Sequence, residues 1–270
     1  MFLVDGPVLL AEALRAGAEL DEVYAEPDAL DDPSVRAAAA AGVSLHEVAP
    51  GGLAKVLDLR SPRGVVAVVR STRSGLDEVL GRALREGRPV LVLVSLQDPG
   101  NVGTLVRVAE ATGCAGVVLT TGSVDLHNPK TVRATAGSVF RVPVVEAVGL
   151  DDVLAGCRAN GLPVVATVGR GGSAPEDARL GGAVAVLVGA EAQGLPDDVV
   201  AACDDTVTLP MEGRVESLNA AVAGSAVLFE AARCRRTGDA PATAADRAAI
   251  PTGGRSVELG HNDPPMEASR

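Results

Sequence analysis

Along the first 70 positions, apolar residues recur in two alternating periods. Pro7 to Gly17 carries Leu9, Leu10, Ala13 and Leu14 on one helical face and stops at a glycine, which predicts a helix. Glu22 to Ala25 reads as a short strand and Ser34 to Ala41 as an Ala-rich helix ended by Gly42. Ser44 to Val48 is a strand, Gly51 to Leu57 a helix, and Gly64 to Val69 a β-branched strand. Residues 1–70 therefore form a small α/β unit. Residues 71–88 are polar and charged, helical in part, and read as a connection.

From Pro89 the strands become longer and more apolar. They are Val90 to Val94, Gly116 to Leu119, Val142 to Val145, Val164 to Val168, Val184 to Val188 and Thr206 to Leu209. Helical patterns at Val102 to Thr112, Pro129 to Gly137 and Leu150 to Asn160 separate most of them. Apolar strands alternating with helices predict an α/β domain over 89–237, with a mostly parallel sheet covered on both faces. Ligands on such sheets bind at the carboxyl ends of strands. The last strand stops at Pro210, and an Ala-rich helix follows to about Arg236. Ser217 is its predicted N-cap, Arg233, Arg235 and Arg236 suit its last turn, and Gly238 stops it. Residues 238–270 lose the apolar period and read as a mobile tail.

Composition narrows the chemistry. One Tyr, three Phe and no Trp exclude aromatic base stacking as the main binding device, and a net charge of -11 argues against a general polyanion binder. Lys55, Arg60, Arg63, Arg70, Arg73, Arg82, Arg85 and Arg88 nevertheless form a locally basic stretch. Cys114, Cys157, Cys203 and Cys234 lie far apart and His46, His127 and His261 are isolated, so reduced thiols and no metal site are expected. The amino-terminus has no signal-peptide pattern and every apolar run is strand-length, which predicts a soluble cytoplasmic protein.

Three loops follow apolar strands and carry candidate chemistry. Gln97 to Gly103 is a turn that leads into a helix bearing Arg107; on a structural reading Asn101 only caps that helix. Gly189 to Pro196 places two glycines around Glu191, which lets backbone approach a ligand closely. Pro210 to Asn219 is the third. A fourth stretch, Gly169 to Ala174, fits G-x-G-x-x-A after a strand and so suggests a nicotinamide-dependent oxidoreductase. Only about 14 residues separate it from the next strand, with Pro175 among them, which leaves little room for a covering helix.

Together, Asp98-Pro99-x-Asn101-x-Gly103-x-x-x-Arg107, Gly189-x-Glu191-x-x-Gly194-Leu195 and Pro210-Met211-x-Gly213-x-x-x-Ser217-Leu218-Asn219 resemble the three motifs of the SpoU (TrmH) class of RNA 2'-O-ribose methyltransferases, in the SPOUT superfamily. Pro129 to Pro143 resembles the family's central segment, and Ser61 to Val69 the end of its amino-terminal substrate-binding domain, so the likeness spans about residues 2 to 236. The resemblance implies a C-terminal trefoil knot, a ribosomal-protein-like RNA-binding unit before it, a homodimer with sites near the subunit interface, and S-adenosylmethionine as cofactor. By motif position, Thr167, Gly189, Gly194, Leu209 and Leu218 would hold the cofactor, and Asn101, Arg107, Glu191, Ser217 and Asn219 would form the polar catalytic set. Lys55, Arg60, Arg63 and Arg133 become candidates for RNA contact. The implied substrate is RNA, with ribosomal RNA favoured, transfer RNA as the alternative and a catalytically silent RNA-binding relative as a further one.

Overall fold

A computed structural model describes residues 1–57, 64–190, 193–215 and 217–238, with side chains from 55 to 57 outside the description. Arg60, Arg63, Glu191 and the tail beyond 238 therefore lie outside the described residues.

The first 70 residues build a four-stranded mixed sheet. Its strands are β1 (Phe2–Asp5), β2 (Leu20–Ala25), β3 (Ser44–Glu47) and β4 (Val65–Val69), in the order β1-β4-β2-β3. β4 is antiparallel to both β1 and β2, whereas β2 and β3 are parallel. β1 was not expected from the sequence. Its four residues are too few to show a period, and it exists because Phe2 and Val4 join a core with Val23, Ala25, Val65, Ala67 and Val69. The helices α1 (Pro7–Arg15), α2 (Pro33–Ala40) and α3 (Gly52–Leu57) match the expected ones.

The larger sheet is wholly parallel. Its strands are β5 (Val90–Val94), β6 (Gly116–Thr120), β7 (Val144–Val148), β8 (Val164–Thr167), β9 (Ala185–Gly189) and β10 (Asp205–Val207), in the order β10-β8-β9-β5-β6-β7. Leu91, Leu93, Val186 and Val188 face one core with α5 (Pro99–Thr112) and α9 (Ala220–Thr237). Val90, Val92, Val94 and Leu187 face the other with α4 (Leu76–Glu86), α7 (Leu150–Asn160) and α8 (Asp197–Ala201). The continuous apolar runs follow from burial on both faces. The chain runs from β5 out to β7, then returns to the other side of β5, so the order reverses beside β5 and β9. That is where a crevice forms above the carboxyl ends of the strands.

Two expectations shift. The expected helix over 129–137 divides into α6 (Pro129–Ala134) and a 3-10 turn (Ser138–Phe140), because Ala136 and Gly137 take positive φ of 50° and 96°. A Cβ on Gly137 would sit 2.7 Å from the Glu12 side chain, so this bend lies tight against α1. The glycine-rich Gly169 to Ala174 opens no helix. It lies along β10, with Ser173 bridged to Val207 and the Gly172 amide donating to the Thr208 hydroxyl at 2.8 Å. A dinucleotide site needs a helix N-terminus at this place, so the oxidoreductase alternative loses its basis.

Candidate active site

The first loop follows β5. Asp98 caps α5, its carboxylate accepting from the Asn101 amide at 2.8 Å. Asn101 is thus released from the capping role that the sequence allowed it. Gly103, in the first turns of α5, is a contact glycine: an added Cβ would meet the Thr131 carbonyl and the Ala134 Cβ, both at 2.5 Å. The motif therefore keeps a glycine where α6 crosses α5.

The second loop leaves β9 at Gly189 and doubles back at once. Gly194 donates to the Ala190 carbonyl at 2.8 Å, and the two residues form an antiparallel bridge. A Cβ on Gly189 would lie 2.4 Å from the Gly194 carbonyl carbon, and Gly194 takes a φ of +65°. Only glycine permits that close approach.

The third loop ends at α9. Asn219, not Ser217, is the N-cap: its side-chain oxygen accepts from Ala221 at 2.9 Å and Val222 at 3.2 Å. Asn and Ser cap about equally well, and the fold selects the later one because Ala220 is the first residue to pack under the sheet. The other end of the same side chain, Nδ2, donates to Asn101 Oδ1 at 3.0 Å. The first and third loops are joined by this contact.

Thr167, Gly189, Gly194, Leu209, Ser217 and Leu218 all line one cavity of about 200 Å³. The five expected cofactor positions are brought together from four separate stretches. Gly169 and Met211, which the sequence patterns contained but did not assign to the cofactor, also line it, together with Val168, Val188, Ala190, Val207, Ala220, Ala223 and Val227. The signal available for Gly169 was its place at a strand end, which the glycine pattern there obscured. The lining is apolar side chain and exposed backbone, with few free hydroxyls; Thr167 already donates its own to the Leu187 carbonyl at 2.8 Å.

Arg107 lies on α5 outside this lining. It is exposed and makes no hydrogen bond or ion pair with the described residues. Arg133 is half-exposed; its Nη1 is 3.9 Å from the buried Asp5 carboxylate and its Nε donates to the Pro129 carbonyl at 3.3 Å. Lys55 lies in α3, its side chain outside the description.

Residues 88–229 match the model of the SpoU rRNA Methylase family. The chain is 29% identical over 228 residues to the 23S rRNA (guanosine(2553)-2'-O)-methyltransferase RlmP of Bacillus subtilis (strain 168), covering 84% of this chain and 87% of that one. It resembles the SpoU methyltransferase AviRb from Streptomyces viridochromogenes in complex with AdoMet, at a TM-score of 0.77, 29% identity, and 88% and 91% coverage. It also resembles the AdoMet-bound rRNA methyltransferase from Sinorhizobium meliloti, at 0.75, 30% identity, and 86% and 87% coverage. The parallel sheet, the three converging loops and a match over more than half its length agree: the chain belongs to the SpoU rRNA methylase family.

Proposed function

We propose that this chain is an S-adenosylmethionine-dependent methyltransferase acting on a ribose 2'-hydroxyl of ribosomal RNA. The observation that carries this reading is the convergence of Thr167, Gly189, Gly194, Leu209, Ser217 and Leu218 on one cavity beside the Asn219–Asn101 contact. The residues fit a nucleoside cofactor. Val168, Leu209, Leu218 and Val227 offer apolar surface for a base, and the missing Cβ at Gly189 leaves backbone open to polar edges. When bound, S-adenosylmethionine supplies an electrophilic sulfonium methyl.

The chain's own task is to align a ribose hydroxyl and help its proton leave. Arg107 stabilises the developing alkoxide; a guanidinium holds its proton too firmly to be a good base. Asn101 positions the ribose or a neighbouring phosphate, and Asn219 fixes which way the Asn101 amide faces. Glu191 and Ser217 orient Arg107 and the third loop.

A homodimer completes the site in this reading. Arg107 faces solvent in the single chain, and Val222 and Phe229, seven residues apart on α9, are more than half exposed. Pairing through that apolar stripe would bring the Arg107 of one protomer toward the cavity of its partner. The close packing of Gly169 to Ala174 against β10, with α9 returning onto α5, supports a C-terminal trefoil knot. Residues 1–70 act as the RNA-binding unit, 71–88 as a connector whose helix α4 packs into the core of the larger sheet, and 89–237 as the catalytic domain; Lys55, Arg60 and Arg63 of the first unit and Arg133 of the catalytic domain are the candidates for RNA contact. Among the described residues no helix is long and apolar enough to cross a membrane, and a ribosomal RNA substrate puts the work in the cytoplasm.

The test is methyl transfer from labelled S-adenosylmethionine to RNA from cells lacking the protein, followed by mapping of the 2'-O-methyl position. One modified ribosomal nucleotide is expected. Transfer only to transfer RNA would replace the substrate, and cofactor binding without transfer to any RNA would make the chain a silent relative.

A further inference from the structure

Asp125, His127 and Glu146 stand apart from the cavity described above, and each presents a ligand atom within 4.8 Å of the other two. We propose that they form a divalent metal site for Zn²⁺. The sequence shows His127 as an isolated histidine, because Glu146 comes from β7 while Asp125 and His127 lie in the segment after β6. Only the pairing of β6 with β7 brings them together.

The geometry is that of a cation site. His127 Nδ1 lies 3.5 Å from Asp125 Oδ1 and 3.8 Å from Glu146 Oε2, beyond good hydrogen-bond length. Two ligands at about 2.1 Å from a tetrahedral Zn²⁺ are themselves about 3.4 Å apart, so the two histidine–carboxylate distances are close to what the ion requires, and the two carboxylates lie within 4.8 Å of each other. The other ring nitrogen, Nε2, is 3.1 Å from the Ser71 hydroxyl, and the ring lies against Phe2 with centroids 4.6 Å apart. A hydroxyl at this distance is able to accept from Nε2–H, and in that tautomer the Nδ1 lone pair faces the carboxylates, with the outer support usual for a ligating histidine. Asp125 is fixed as well: Oδ1 accepts from the His127 amide at 2.8 Å. Imidazole with two carboxylates suits a borderline divalent ion. The group borders a cleft of about 620 Å³, also lined by Ser71 and Arg73 from the segment joining the two sheets, so a fourth position stays open to water. Bound there, the ion would tie the loop after β6 to β7 and hold the joining segment through Ser71.

The proposal does not rest on methyl transfer, and its test uses neither cofactor nor RNA. Tag-free, chelator-stripped full-length chain is titrated with ZnCl₂ by calorimetry, with elemental analysis after gel filtration. One ion per chain is expected, with a higher melting temperature on saturation. His127→Ala and Glu146→Gln should each weaken binding at least tenfold while keeping the circular dichroism spectrum. Should His127→Ala fail to fold, the partly exposed Glu146→Gln decides. No retained zinc, or retention unchanged in the variants, would overturn the site, as would a pH-dependent heat with no metal bound.

Discussion

Asn219 donates its side-chain amide to the side-chain oxygen of Asn101 at 3.0 Å, across 118 residues of chain. The same Asn219 caps α9 with its oxygen. One side chain thus starts the last helix and positions a residue of the first loop.

That dual role can be separated. Asn219→Ala should cost about 1 kcal/mol of stability through loss of the cap, and should lower methyl transfer as well. Asn219→Asp keeps the capping oxygen but removes the donor, so it should fold with near wild-type stability and still lose activity. Urea unfolding and methyl-transfer assays on both variants and on Asn101→Ala check this. Equal stability losses in all three would contradict it.

Gly189→Ala should weaken cofactor binding at least tenfold in a folded protein, because the new Cβ would meet the Gly194 carbonyl carbon at 2.4 Å. Gly194→Ala has open space and suffers only its φ of +65°, a strain of about 1 kcal/mol. Calorimetric titration with the cofactor should therefore rank Gly189→Ala as the more damaging of the two.

Arg107→Ala should reduce methyl transfer by about 100-fold or more, the range for removing one donor to a developing oxyanion. Cofactor affinity should not change, since Arg107 lies outside the cavity lining. In mixed dimers, an Arg107→Ala chain and a Gly189→Ala chain should restore one working site if the arginine acts across the interface. Phe229→Asp should shift the protein to a monomer by light scattering and remove activity with it.

Arg141 joins the two sheets' helices. It donates to Glu110 on α5 through Nε and Nη2, and to Glu12 on α1 through Nη1 at 2.8 Å. The guanidinium hydrogen bond holds the Glu110 carboxyl below its ordinary value of 4.5. A depressed folded pKa contributes stability that is complete above the unfolded value and is lost as pH falls through the folded one. The stability gap between wild type and Arg141→Gln should therefore be constant above pH 4.5 and close below it. Denaturant midpoints measured from neutral to acid pH test the sign; a gap that widens in acid would refute it.

The thiols should be inert in the native protein. Burial pushes Cys114 and Cys157 up to about 11, and also raises Cys203. A thiol reagent at pH 8 should label none of these three rapidly before denaturant is added, with the partly exposed Cys203 reacting first.

Local sequence determined the alternation of strands and helices, the doubly buried parallel sheet and the three loops at strand ends. Those features are written in spacing: runs such as Val90 to Val94 are apolar at every position because both faces are covered. The motif residues also reported a chemistry, since glycine at 189 and a short polar residue at 219 are demanded by backbone approach and capping. Tertiary structure decided the rest. β1 became a strand only by pairing with β4, α9 began at Asn219 rather than Ser217 because packing placed Ala220 beneath the sheet, and Gly169 to Ala174 became a strip along β10. The same holds for Asp125, His127 and Glu146, and for Asn101 with Asn219. Their encounters depend on which strands are neighbours, and strand order is a long-range property that no local period records.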